Sequence, residues 1–385
     1  MLSLPNGRLR KAAMSLIHGQ RRRSRLALLV VASFVALCAL CMMSYSVADN
    51  LGMIDTRVPP HRLPANLASD PYWSNADCRQ SVTCRAFARI RYLRGRARQT
   101  RIPQIIHQSW RDVHVPARIF GRKDYTDLVP WIQSWTKNHP AWRYVFWTDK
   151  DNYEMVETAM PEYLWVYKRL SGIMRADFVR YVIMYKIGGV YADLDFESVR
   201  PLPDSVTSLD AFLSSEPMIH SRVYNGRNRT VCNAIIGSRP GHPFWLTVIK
   251  AIADHVANDG CHDPVDCTGP RLLEGLFEKK HVQDLLKRPG SGLTLFEPHV
   301  FYPEVSVYNI DDMKQRCLSP SPQMKEGCDA LATWVPGQNR RPDTLAEHHW
   351  QCSWCARRKQ ETANIADIVP ISRLERPFED RLQWQ

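Results

Sequence analysis

The apolar positions of this chain fall into patterns that predict different elements in different places. Leu26 to Ala48 is a run of 23 residues without a charge, rich in Leu, Val and Ala. As a helix it would be about 35 Å long, enough to cross a hydrocarbon core of roughly 30 Å. From Ile102 onward the pattern changes, and short apolar runs alternate with runs at helical spacing. Ile102 to Ser109 reads as a strand that ends in polar residues and Trp110. Residues 131–148 read as a helix stopped by Asn138-His139-Pro140, then a strand at Tyr144–Trp147, with helical segments around Asp151–Met160 and Glu162–Leu170. Ile173, Val179, Val182, Ile183 and Ile187 then recur at the spacing of one long helix, which Gly188-Gly189 should stop because glycine accepts a left-handed C-cap. Val190–Ala192 follows as a short buried strand. Further strands are expected at Ala211–Leu213 and Asn233–Ile236, and further helices at Pro243–Val256 and Arg271–Phe277. Strands alternating with helices predict an α/β nucleotide-binding half. No G-x-G-x-x-G and no G-x-x-x-x-G-K-[ST] occurs, which argues against a dinucleotide enzyme or a P-loop phosphotransferase.

The chemistry concentrates in Ser171–Pro201, SGIMRADFVRYVIMYKIGGVYADLDFESVRP. Its short strand delivers Asp193 and Asp195, and strand alternation would put both carboxylates on one side with Leu194 on the other. Two converging carboxylates suit a hard divalent cation, Mg²⁺ or Mn²⁺. Asp177 and Arg180 are three apart and share a helix face. Taken singly, a D-x-D is mostly a solvated turn, and an Asp–Arg pair on a helix is mostly a surface ion pair of little worth. Here they occur in fixed order as R-x-D-x-x-R-Y, a helix, and G-G-x-Y-x-D-x-D.

That order resembles the donor-site signature of glycosyltransferase family 32, the group of fungal Golgi α-1,6-mannosyltransferases. The opening I-P-x-I-I-H-Q-x-W at Ile102–Trp110, the segment Cys232–Phe244, Thr268-Gly269-Pro270 and the H-H-x-x-x-S-W run from His348 to Trp354 are also similar to it. The resemblance implies a GT-A fold, a Rossmann-like mixed sheet flanked by helices. It implies a retaining hexosyltransferase that moves mannose from GDP-mannose onto a glycan. Asp193, Asp195, Asp177 and Arg180 would be catalytic. Ile106, His107 and Trp110 would lie near the base and ribose, Tyr191 near the donor phosphate or sugar, and Trp354 would cap the site. The cation would sit on Asp195 and Asp193, with His349 or Ser353 as a third contact. Cys352 and Cys355 depart from the family pattern. The runner-up donor is UDP-galactose or UDP-glucose, with a sphingolipid as acceptor; a lumenal glycan-binding protein without activity is the alternative of another class.

Charge and cysteines sharpen this picture. The net charge of +12 is carried outside the expected catalytic part: residues 1–25 and the stretch Arg85–Arg101 each hold seven Lys/Arg and no acid. From Ile102 onward 34 basic residues face 35 acidic ones. A nucleic-acid binder would carry its positive charge on the folded domain, so no nucleic-acid partner is expected. Arg21, Arg22, Arg23 and Arg25 flank the apolar run, and the positive-inside rule then puts the tail in the cytosol. The expected organisation is a basic tail at 1–25, a signal anchor at 26–48, a proline-bearing stem at 49–101 and a lumenal catalytic domain at 102–385, in a single-pass type II Golgi membrane protein. Cleavage after Ser46-Val47-Ala48 is the alternative. Nine cysteines beyond the apolar run suit an oxidising compartment. Cys78–Cys84, Cys261–Cys267 and Cys317–Cys328 are the local pairs, and Cys232 is the candidate free thiol. A disulfide is favoured over structural zinc at Cys352 and Cys355. Asn228-Arg229-Thr230 is the one N-glycosylation sequon. The last thirty residues, being charged, read as peripheral.

Overall fold

The computed structural model describes residues 101–120, 125–351 and 359–378. The tail, the apolar run at 26–48, the stem up to residue 100, Cys78, Cys84, Cys352, Ser353, Trp354 and Cys355 lie outside the described residues. Among those described, no helix is long and apolar enough to cross a membrane. Twelve strands are seen in the described chain: β1 Ile105–Ser109, β2 His114–Phe120, β3 Tyr125–Asp127, β4 Arg143–Trp147, β5 Gly189–Ala192, β6 Phe196–Ser198, β7 Ala211–Ser215, β8 Val231–Ser238, β9 Leu293–Phe296, β10 Ala346–His348, β11 Gln360–Asn364 and β12 Leu374–Glu375.

Seven of them form a mixed sheet in the order β12-β4-β1-β5-β8-β7-β9. β12, β4, β1 and β5 run parallel, and β8 runs against both β5 and β7. The chain leaves β1 toward β4 on one side and returns to β5 on the other. The carboxyl ends of β1 and β5 therefore flank a point where strand order reverses, the place where open α/β sheets leave a crevice. This is the mixed α/β sheet expected from the sequence.

Two apolar layers cover the sheet. On one face pack helices α2 Asp149–Ala159, α3 Gly172–Lys186, α4 Pro243–Ala257 and α5 Pro270–Phe277. On the other lie α1 Val129–Asn138, β2 and β6, with Trp135 wholly buried and its indole N–H donating to the Phe196 carbonyl at 2.9 Å. Helix α3 is buried from Asp177 through Met184. Its apolar residues are not confined to one stripe because packed neighbours cover several faces. At its end Gly188 donates back to the Ile183 carbonyl at 3.1 Å, and both Gly188 and Gly189 take positive φ, 74° and 99°.

The local disulfides Cys261–Cys267 and Cys317–Cys328 are present, and Cys232 is free and buried. The carboxy-terminal segment is not peripheral. Leu374–Glu375 completes the sheet edge beside β4, Arg143 pairs with Glu375 at 2.5 Å, and Arg376 is buried against Asp151 and Thr148. A charged composition hid this because the charges of Glu375 and Arg376 are paired inside the fold. Strands β2, β3 and β11 form a separate antiparallel sheet, and β6 pairs with β10.

Gly189 gives a test of the turn that feeds the site. A β-carbon there would meet His107 Nε2 and the Ile105 carbonyl, each at 2.8 Å, on a backbone that L-residues avoid. Gly189→Ala is expected to destabilise the protein by about 2 kcal/mol or more, read as a lower urea midpoint. An unchanged midpoint would show that the turn is not constrained.

Candidate active site

At the carboxyl ends of β1 and β5 the structure opens a cleft of about 520 Å³. Its floor is built around one buried guanidinium. Arg180, on α3, lies 3.2 Å from Asp177, one helical turn away, and 3.2 Å from Asp193, just past β5. It donates to the Asn233 carbonyl at 2.8 Å and stacks over the Tyr191 ring at 4.6 Å. Asp177 is then fully engaged: Asn233 Nδ2 donates to one oxygen at 2.9 Å and Thr268 Oγ1 to the other at 2.7 Å. Burial raises the pKa of Asp177, opposed by Arg180 and by those two donors. The Asp177–Arg180 pair is thus no surface ion pair but part of a buried network linking α3, β5, β8 and the segment before α5.

The two acids of the D-x-D come together by a route other than strand alternation. Strand β5 ends at Ala192, and Asp193–Phe196 is a turn in which Phe196 N–H donates to the Asp193 carbonyl at 3.0 Å. Aspartate favours the first position of such a turn. Asp193, the largely buried Leu194 and Asp195 all line the cleft. Gln108 Nε2 donates to the Asp193 carbonyl at 3.1 Å and is itself held by the Tyr144 hydroxyl at 2.7 Å. Asp195 accepts from the Gln351 amide at 2.8 Å and faces His348 Nε2 at 3.2 Å.

Asp193, Asp195 and His348 each offer one ligand atom, all within 4.8 Å of one another. Burial pushes Asp193 up to about 6, more than Arg180 draws it down, and the neighbouring Asp195 charge adds to the rise. Burial also works to raise Asp195, but His348 and the Gln351 amide outweigh it and hold that carboxyl below the usual range. His348 is displaced upward: burial lowers it, and Asp195 more than compensates. Two carboxylates and an imidazole in this arrangement are a donor set for a divalent cation.

His349, expected as the third contact, points elsewhere. Alternation along β10 and its continuation puts Glu347 and His349 on one face and His348 on the other. His349 stacks on Trp131, with ring centroids 3.7 Å apart, and its Nε2 lies 3.2 Å from Glu197. Arg340 bridges Glu197 and Glu347 on the same face. Of the residues expected near base and ribose, Trp110 lines the cleft, whereas Ile106 and His107 do not. Ile106 is core. His107 is fully buried, with Nε2 2.9 Å from the Gly188 carbonyl and Nδ1 accepting from the Trp147 indole at 3.1 Å. Tyr191 lines the cleft beneath Arg180, and Asn228 is exposed in the loop before β8. Ser353 and Trp354 lie outside the described residues.

Residues 127–214 match the family model described as the glycosyltransferase sugar-binding region containing DXD motif. This stretch of the chain is thus similar to the DXD-containing sugar-binding region of glycosyltransferases. Among curated relatives, inositol phosphoceramide mannosyltransferase 3 of Schizosaccharomyces pombe is 35% identical over 180 residues, 45% of this chain and 44% of the relative. The mannosyl phosphorylinositol ceramide synthase SUR1 of Saccharomyces cerevisiae is 33% identical, over 39% of this chain and 35% of the relative. The initiation-specific alpha-1,6-mannosyltransferase of Candida albicans is 24% identical, over 40% of this chain and 43% of the relative. The chain thus spans less than half the length of these curated relatives. A solved structure, the PaToxG glycosyltransferase, overlays with a TM-score of 0.32 at 13% identity, covering 66% of this chain and 95% of that one, an agreement too low to bear on the fold.

Outside the matched stretch, the buried His107 has a pH signature. Desolvation, only partly opposed by the Gly188 carbonyl, lowers its pKa from 6.5 to about 3. The unfolded chain therefore binds a proton that the folded one does not between those values. The contribution is complete above pH 6.5 and is lost as pH falls toward 3, up to about 5 kcal/mol. Urea midpoints measured from pH 7 to 4 should fall, and His107→Gln should flatten that slope by about one proton. An unchanged slope would place the acid sensitivity in other groups.

Proposed function

We propose that this chain transfers a hexose from a sugar nucleotide to a hydroxyl of a glycan or glycolipid, in a divalent-cation-dependent reaction. The observation that carries this reading is the Arg180-centred network abutting the Asp193–Asp195–His348 cluster on one cleft wall. Asp193, Asp195 and His348 fit a cation by donor chemistry, and His348 Nδ1 is buried without a hydrogen-bond partner. Mn²⁺ suits a mixed oxygen and imidazole set better than Mg²⁺, which takes oxygen ligands. Bound there, the cation would neutralise the diphosphate leaving group as a Lewis acid. Arg180 and Asp177 would hold sugar hydroxyls, and the fixed network around them would orient the anomeric carbon without reorganisation during reaction. Trp110 offers an aromatic face for the base.

Mannose from GDP-mannose is the favoured donor, because the relatives above are named as mannosyltransferases or as a mannosyl phosphorylinositol ceramide synthase. Identity is higher to the relatives named for inositol phosphoceramide than to the one named for α-1,6 transfer. That supports a glycolipid acceptor as a second reading beside an α-1,6-linked N-glycan. The two disulfides support a secretory compartment, and the apolar run at 26–48 supports anchorage in the Golgi membrane with this part lumenal. Asn228, exposed, would be accessible for glycosylation.

Asp195→Ala tests the reading. Release of mannose from GDP-mannose with Mn²⁺, or of the sugar from UDP-glucose or UDP-galactose, is expected to fall at least about 100-fold, while the thermal midpoint stays near that of the parent. Undiminished turnover would refute the cation assignment. A glycan-binding protein without activity would release no free sugar from any of these donors in the parent chain either.

A further inference from the structure

One carboxylate of the cleft stands apart from the Arg180 network. Asp149 lines the cleft where β4 gives way to α2, and it is exposed. Its N–H donates to the Arg111 carbonyl at 3.1 Å, and the Trp110 N–H donates to the Trp147 carbonyl at 3.0 Å. The segments that follow β1 and β4 therefore run side by side, which brings Asp149 and the half-buried Trp110 to one corner of the cleft. Asp177, Asp193 and Asp195 are engaged as described above, and Glu216 faces His220 Nδ1 at 3.5 Å. Of the carboxylates lining the cleft, Asp149 alone makes no hydrogen bond or ion pair through its side chain with another described residue. Charges act on it only through space. Partial burial raises its pKa, Arg175 opposes the rise, Asp112 adds to it and Arg111 opposes it, while the Asp149 charge in turn acts on Tyr167. Both of its oxygens are left free to accept.

We propose that Asp149 selects guanine as the base of the sugar nucleotide. The proposal rests on the transferase reading above and deepens it by naming the nucleotide the cleft takes. Strand β4 lies next to β1, and β1 next to β5. Asp149 is therefore two strand spacings, roughly 10 Å, from the strand that delivers Asp193 and Asp195. A nucleotide whose diphosphate is held on that side extends across the end of β1, with its base beside Trp110 and its edge against Asp149. Guanine carries an N1–H and an exocyclic amino group side by side, and these two donors match the two acceptor oxygens of one carboxylate. Hydrogen bonds of this paired, charge-assisted kind are among the stronger ones. Uracil carries a single N3–H between two carbonyl oxygens, and those oxygens meet a carboxylate with like partial charge. A site built to accept both guanine donors rejects a base that lacks them. An asparagine at this position would reverse the match, since its amide donates to a uracil carbonyl while accepting from N3–H.

The test is calorimetric binding of GDP, inosine diphosphate and UDP, each with Mn²⁺, to the full chain and to its Asp149→Ala and Asp149→Asn variants. Inosine diphosphate differs from GDP only in lacking the 2-amino group. The parent is expected to bind GDP about 10-fold or more tighter than either of the other two. Asp149→Ala should bring GDP and inosine diphosphate to about the same affinity, with UDP unchanged from the parent. Asp149→Asn should bind UDP more tightly than GDP. A purely structural role for Asp149 would weaken all three nucleotides alike and keep their ratios as in the parent, which overturns the proposal. A parent that binds GDP and inosine diphosphate equally, or UDP better than either, also overturns it with the transferase reading intact, and that comparison needs no variant. A parent that binds none of the three with Mn²⁺, and hydrolyses none of GDP-mannose, UDP-glucose and UDP-galactose, overturns both.

Discussion

The Arg180 guanidinium is the interaction on which the rest of the cleft depends. A charge buried to this degree costs several kcal/mol to desolvate unless acids and hydrogen bonds surround it. Here Asp177, Asp193, the Asn233 carbonyl and the Tyr191 ring surround it together. These partners come from three separate elements, α3, β5 and β8. The ion cluster therefore fixes how the long helix sits over the sheet as well as what the cleft presents. Removing any one partner would leave a buried charge or donor uncompensated, so fold and site share the same constraint.

The same cluster sets the electrostatic character of the cleft. One guanidinium is shared between two carboxylates, and Asp195 brings a third against a single imidazole. At Asp193 burial is the main cause of a rise to about 6, Arg180 opposes it, and the neighbouring Asp195 charge adds to it. A site with excess acid and too few resident cations favours a positively charged ligand. The metal-dependent reading draws on this imbalance as much as on the D-x-D spacing.

Much of this was legible in sequence because it was local. The helix over 172–186, the glycine stop, the short strand and the two close disulfides all follow from spacing within a few residues. The Asp177–Arg180 pair and the D-x-D were visible for the same reason. Long-range consequences were not. Nothing in Asn233 or Thr268 alone shows that they saturate Asp177, and Arg376 gives no hint that it is buried beside Asp151. His107 resembled a ligand contact because it lies in a strand-end motif. The register that pairs β1 with β5 instead places its ring against the Gly188 carbonyl. His348 and His349 are adjacent, and only the face that β10 presents to β6 decides between them.

Trp350, just past this pair, adds a second constraint. It has φ of +54°, in the left-handed region that bulky residues avoid. The strain is held by its indole N–H donating to the Glu304 carbonyl at 2.9 Å and by its ring lying edge-on to both His220 and His348. An extended backbone at this position would carry residue 351 along the strand direction. The left-handed kink instead turns the chain back, so that the Gln351 amide reaches the same Asp195 carboxylate that the His348 ring faces. Conformational strain persists where its surroundings over-determine it, and such positions cluster at functional sites. The kink thus links His348, on the Asp195 side of the cleft, to the buried His220 through one indole ring.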